Sequence, residues 1–195
     1  MNSGTQNIEN VKKPIAMNAK KFGLWLFMVS VVMLFAALTS AYIVRQAEGN
    51  WYVFELPELF TYSTITILLS SVTMHWAYIS AKKDNLEVLK TAMSITAILG
   101  VAFLVLQFFG WGQMVDLGAF FSDTVNPSGS FVYVITGLHG LHIVSAVIFL
   151  LVVLVKTYKF KVHSKNLNTM EMCVSYWHFL DVLWIYLFVF LLLNR

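Results

Sequence analysis

Five apolar stretches divide this chain, over residues 22–44, 59–81, 91–115, 131–155 and 172–193. Each is long enough to cross a bilayer, since a helix rises about 1.5 Å per residue and the hydrocarbon core is about 30 Å thick. Lipid cannot satisfy free backbone groups, which leaves helices or closed barrels. The stretches are too long for barrel strands and do not alternate strictly, so the pattern predicts helices. The expected fold is an all-α membrane protein. A polar tail, residues 1–21, precedes a single domain of five transmembrane helices bundled over residues 22–195.

The polar residues between the stretches set the expected orientation. Lys12, Lys13, Lys20 and Lys21 precede the first stretch. Lys82, Lys83 and Lys90 separate the second from the third, and Lys156, Lys159, Lys161 and Lys165 separate the fourth from the fifth. The opposite side holds only Arg45 and Arg195, together with Glu48, Glu55, Glu58, Asp116 and Asp123. Basic loops stay inside, so the N-terminus is expected in the cytoplasm (or, in an organelle, the matrix) and the C-terminus outside, in the periplasm of a bacterium.

Composition agrees with this class. Hydrophobic residues make up 58% of the 195 and charged residues 12%, about half the charged share of an ordinary soluble domain. The net charge of +3 is an inner-face feature and reads as topology with some headgroup preference, not as nucleic-acid binding. A lone cysteine, Cys173, permits no internal disulfide. The tail lacks the short apolar core of a cleavable signal peptide, so the first span is expected to direct insertion. Trp25, Tyr42, Trp51, Tyr62, Trp76, Trp111, Tyr158, Tyr176 and Trp177 collect near span ends, and most read as belt residues. Asp123, Asn126, Pro127 and Gly129 mark turns in the loop over residues 112–130.

Ionisable groups inside a bilayer are costly and mark candidate sites. Five fall within the stretches: His75, His139, His142, His178 and Asp181. His75 sits toward the inner end of its span and reads as interfacial. His142 lies about 17 Å below the outer boundary and Asp181 about 14 Å above the inner one, which places them at one level on neighbouring antiparallel helices. His178 and Asp181 share a helix face. A buried pair of Asp181 with His142 or His178 is therefore expected, either as a structural bond between helices or as a protonatable or lipid-anchoring site. His139 and His142 share one face and cannot both be axial ligands of one haem, and the further ligands of a metal site are missing. Gly137, Gly140 and Ser145 in the fourth span, and Ala36, Ala37, Ser40 and Ala41 in the first, form small-residue faces suited to close packing within the bundle or against a partner subunit.

Two motifs carry the reading further. "TGLHGLHIVSAVIFLL" at 136–151 resembles the signature helix of subunit III of the haem-copper oxidases. "YWHFLDVLWIYLFVFLLL" at 176–193 resembles that family's last helix. "GLWLFMVSVVMLFAALTSAY" at 23–42 fits the first conserved helix more loosely, and "LQFFGW" at 106–111 falls where the family has a Leu-Gln-x-x-Glu-aromatic pattern. The resemblance, from residue 22 onward, is to the five-helix bacterial form found in the cytoplasmic (inner) membrane. It implies a subunit without haem or copper of its own. Those groups belong to partner subunits I and II, which reduce oxygen to water while pumping protons. It also implies direct packing on subunit I, subunits II and IV in the same complex, bound phospholipid, support of proton uptake and sustained turnover, and a larger respiratory supercomplex as a further partner. No catalytic, cofactor-binding or metal-binding residue is assigned to this chain.

The sequence departs from the family twice. Ser30 is followed by Val31 where the family commonly has a buried glutamate, and Gly110 stands at the glutamate of the Gln-x-x-Glu pattern. Proton roles tied to those carboxylates do not carry over. What remains are His139, His142, His178, Asp181 and Gln107 as buried polar or lipid-contact candidates, with Gly137, Gly140 and Trp177 as packing residues. The "YWHF" form leans toward cytochrome c over quinol as electron donor. A quinol oxidase, a subunit III relative attached to nitric oxide reductase, and a stand-alone transporter are the alternatives. The last is disfavoured by the lack of an inverted repeat or a broken helix pair.

Overall fold

Each apolar stretch becomes one helix, lengthened at both ends in the first four and at its start in the fifth. In the computed structural model, which describes residues 19–49, 51, 56–118, 120–121, 127–158 and 167–194, these are α1 (Ala19–Ala47), α2 (Glu58–Lys82), α3 (Leu86–Asp116), α4 (Ser128–Tyr158) and α5 (Asn168–Leu193). Between α2 and α3, Asp84 adopts a left-handed φ of 53°, a conformation Asp tolerates better than most residues. Asn85 then caps α3 by accepting from the Val88 N–H at 3.4 Å, one of the donors a helix start leaves open. Gly129 belongs to the first turn of α4 and not to a loop turn, while Asp123 and Asn126 lie outside the described residues.

Helices α2, α3, α4 and α5 close a ring in that order, α5 packing back on α2, and α1 lies outside it against α4 and α5. Cross-helix bonds fix the directions. Gln107–Ser63 and Thr96–Thr73 make α2 and α3 antiparallel, Trp111–Thr136 does so for α3 and α4, Ser145–Tyr176 for α4 and α5, and Trp184–Thr64 with Trp177–Ser70 for α5 and α2. Helix α1 runs parallel to α5. Lys21 meets Glu171 at 3.2 Å, Thr39 meets Tyr186 at 3.0 Å, and the Tyr42 hydroxyl and Gln46 amide both donate to the Asn194 carbonyl at 3.0 Å. The described lysines Lys20, Lys21, Lys82, Lys83, Lys90 and Lys156 consequently gather at one end of the bundle, with Arg45, Glu48, Glu58 and Asp116 at the other. Lys12, Lys13, Lys159, Lys161, Lys165, Glu55, Asp123 and Arg195 are outside the described residues.

Four helices, α1, α3, α4 and α5, are long and apolar enough to cross a membrane. Helix α2, with 25 residues, is slightly shorter and richer in Ser and Thr. Several of those hydroxyls point inward: Ser63 and Ser70 are fully buried and donate to their own helix at Phe60 and Ile67. Such local bonds satisfy hydroxyls that lipid could not.

Packing bears on three expectations. Tyr42, Tyr176 and Trp177 are buried, not belt residues, because each sends its polar atom to another helix. Ala36, Ala37, Ser40 and Ala41 face outward, which leaves them to a partner subunit and not to the bundle, since α1 turns Met28, Val31, Phe35, Thr39 and Tyr42 inward. Gly137 and Gly140 are not points of closest approach. A Cβ there would meet Trp111 at 3.7 Å and Leu104 at 3.9 Å, ordinary contacts. The tight glycine is Gly100, where a Cβ would lie 2.7 Å from the Trp177 ring.

Candidate functional site

The polar interior is built on pairs seven residues apart. Ser63 and Thr64 on α2 precede Ser70 and Ser71 by two turns, so all four share a helix side. On antiparallel α5, Trp177 and Trp184 have the same spacing. The two indole N–H groups reach α2 hydroxyls about two turns apart. Trp184 Nε1 donates to Thr64 Oγ1 at 2.9 Å and Trp177 Nε1 to Ser70 Oγ at 3.1 Å. Gln107 Nε2 of α3 donates to Ser63 Oγ at 2.8 Å, and the Thr73 and Thr96 hydroxyls are 2.8 Å apart. The hydroxyls that make α2 less apolar thus join three helices.

His139 occupies the centre. It is fully buried, 5.1 Å from the Trp184 ring centre, with the rings of Phe103 and Phe35 at 6.0 and 6.3 Å. Neither of its nitrogens has a hydrogen-bond partner among the described residues. Replacing both partners of a buried bond, or a polar group that has none, by an apolar side chain of similar size is close to neutral or stabilising. His139→Leu is therefore expected to leave the melting temperature unchanged or raise it, by up to about 2 kcal/mol of stability. A clear drop in thermal unfolding of the detergent-solubilised protein would contradict this.

The level expected for His142 and Asp181 brings no pair, because the two side chains leave their helices on different sides. His142 turns to α1. Its Nδ1 lies 2.7 Å from the Leu138 carbonyl, and Phe27 and Phe35 flank its ring with centres at 6.2 and 5.8 Å. Phe27 and Phe35 stand four residues either side of Val31, so position 31 shares the α1 face that meets His142, and Val31 is buried there. The family's glutamate position thus faces this histidine with an apolar side chain. At the second departure, a Cβ on Gly110 would lie 3.3 Å from Phe60, whose ring fills the space a glutamate would need.

Asp181 turns to α2. It is buried, and its carboxylate lies 3.8 Å from His178 Nδ1 without a hydrogen bond among the described residues. His178 Nδ1 is bonded to Ser71 Oγ at 2.7 Å. His178 is one-third exposed, and the ring of exposed His75 is centred 6.2 Å away. His75 is seven residues, about 10 Å, inside the lysine-bearing end of α2. Ser71, His75, His178 and Asp181 therefore form one lateral cluster. Gln107 keeps Oε1 buried without a partner. No group of three or more His, Cys, Asp or Glu side chains suited to a metal ion occurs among the described residues. Sequence reasoning missed Ser71, Thr64, Trp184 and Gly100. The seven-residue spacing of the Ser/Thr pairs and of the two tryptophans was the available signal.

A family model described as cytochrome c oxidase subunit III matches residues 5–194. The chain belongs to the cytochrome c oxidase subunit III family. Among its relatives, cytochrome c oxidase subunit 3 of Rattus norvegicus is 32% identical over 190 residues, covering 90% of this chain and 70% of that one. Cytochrome c oxidase subunit 3 of Bacillus sp. (strain PS3) is 28% identical over 174 residues, 87% and 83% of the two chains. Cytochrome bo(3) ubiquinol oxidase subunit 3 of Buchnera aphidicola subsp. Schizaphis graminum is 28% identical over 183 residues, 91% and 95% of the two. The chain is thus a multi-pass membrane protein and a subunit III of the haem-copper oxidases, a family that includes both electron-donor types.

Proposed function

We propose that this subunit III is the non-redox accessory subunit of a proton-pumping cytochrome c oxidase in a bacterial cytoplasmic membrane. It packs on catalytic subunit I within a complex that also holds subunits II and IV, binds membrane phospholipid, and sustains turnover as oxygen is reduced to water. Haem and copper belong to the partner subunits. All five helices cross the membrane in a single domain, residues 22–195, after a cytoplasmic tail, and the C-terminus is periplasmic. The observation carrying the assignment is the family match from residue 5 to 194. Support for α2 as the fifth span is its place in the ring and the inward use of its hydroxyls. Support for the orientation is the lysine-bearing end.

One observation favours a second reading, the quinol oxidase: the bo(3) relative is matched over 95% of its own length. The test is purification in gentle detergent through a tag on the C-terminus, followed by a reduced-minus-oxidised spectrum and mass spectrometry. Haem bands and a co-eluting subunit I are expected, and the type of subunit II names the electron donor. A colourless chain eluting alone would overturn the assignment.

Asp181, His178, His139, His142 and Gln107 act in this reading through helix packing, with lipid contact at partly exposed His142 and His178, and not through proton delivery. Asp181→Asn is expected to loosen attachment, with faster loss of the subunit in detergent, because it removes the carboxylate charge that stands 3.8 Å from His178 Nδ1. Initial proton uptake by the intact complex stays unchanged. Slowed uptake with full retention would overturn this role.

A further inference from the structure

Helices α1 and α2 both pack on α5 but not on each other. Between them α5 shows an open strip, on which His178, Val182 and Val189 follow one another at helical spacing, and the neighbouring wall of α2 carries Val72 and His75. The strip is apolar except at mid-depth. Ser71 lies eleven residues, about 16 Å, from the end of α2, and there the cluster of Ser71, His75, His178 and buried Asp181 opens into the groove. The bond from Ser71 occupies His178 Nδ1 and leaves Nε2 on the exposed side of the ring. The Asp181 carboxylate has no hydrogen-bond partner among the described residues and stands behind that ring. Phospholipid headgroups do not reach this depth, and acyl chains offer nothing to an imidazole. The outward face of α3 differs, with Ile98, Val101, Val105 and Phe108 exposed along it.

We infer that the groove between α1 and α2 is the docking site for one transmembrane helix of a partner subunit, and that this helix carries a hydroxyl, amide or basic side chain at mid-depth facing His75 and His178. The inference rests on the reading of this chain as part of an oxidase complex. A helix seated there touches α1, α5 and α2 together, and interhelical hydrogen bonds of this kind hold membrane helices where lipid gives no hydrophobic drive. The apolar strip on either side of the cluster supplies packing, while the imidazoles fix depth and rotation.

The experiment places a photo-crosslinking phenylalanine derivative at Val72 and Val182 in the groove, or at Val101 and Val105 on α3, in the purified full complex. Groove probes are expected to label one membrane segment of another subunit, and mass spectrometry should find a polar residue at the middle of that segment. Groove probes that label only lipid, a hydroxylated lipid included, overturn the docking site whatever the α3 probes do. Co-elution of the haem-bearing subunit in the same preparation then shows whether the assembly reading survives. Because His75 is exposed, His75→Leu leaves the fold intact. It is expected to speed loss of the subunit in detergent roughly threefold, with His75→Gln restoring much of the wild-type rate. Loss of His75→Leu at the wild-type rate overturns the part assigned to hydrogen bonding.

Discussion

Replacing Trp184 with alanine is expected to destabilise the bundle by about 3 kcal/mol, the lower end for truncating a large buried aromatic. Trp184 is fully buried where three helices of the ring meet it: Thr64 of α2 receives its N–H, Phe103 of α3 stands edge-on at 5.1 Å, and His139 of α4 lies at 5.1 Å. Phe60 of α2 lies nearly parallel to it at 6.2 Å. Truncation removes these contacts together and leaves a cavity that four helices border. The figure sits low in the range because an unfolded membrane helix keeps its tryptophan in lipid, so the loss is packing and one hydrogen bond with little transfer energy. Denaturant titration of the solubilised subunit measures it. Trp184→Phe keeps much of the ring and loses the bond to Thr64, and a loss of about 1 kcal/mol is expected from the bond. Equal losses in the two variants would show that the bond, and not the packing, dominates.

Gly100→Ala has the second-largest expected effect, although it adds one methyl group. The new Cβ would lie 2.7 Å from the Trp177 ring and 3.2 Å from Val147. The indole cannot swing away without breaking its bond to Ser70, so α3 must shift from both α4 and α5. Overpacking of this kind costs about 1–3 kcal/mol, more than the roughly 0.5–1 kcal/mol that alanine gains over glycine in a helix. A lower midpoint is therefore expected. Gly137→Ala is the control: its Cβ meets only ordinary contacts, so the helix gain stands alone and the midpoint holds or rises. The same ordering in both variants would show that the 2.7 Å approach is not a constraint.

The apolar stretches made the five helices legible because lipid forces every spanning backbone to satisfy itself, and length alone then selects the element. The lysine pattern anticipated which helix ends would share one end of the bundle. What the stretches could not reveal was rotation. His142 and Asp181 were expected at one level, yet depth along an axis does not say toward which neighbour a side chain turns. His142 went to α1 and Asp181 to α2. The glycines misled for a related reason. Gly137 and Gly140 look like a packing motif beside two histidines, but closeness depends on what stands opposite. Gly100 faces the Trp177 ring at 2.7 Å, and Gly110 faces Phe60 at 3.3 Å, both tighter than either glycine beside the histidines. Aromatic residues near span ends read as belts until the partner of each polar atom is known, which is how Tyr42, Tyr176 and Trp177 came to be buried.

The position of α1 has a consequence for the order in which the chain is made. Chains are synthesised from the N-terminus, so α1 is made before α2 to α5. The surfaces it packs against, α4 and α5, leave the ribosome last, and its ties to Glu171, Tyr186 and Asn194 span nearly the whole chain. The ring of α2 to α5 closes through neighbours in sequence plus the single return of α5 to α2. Helix α1 is therefore made well before the two helices that form its seat.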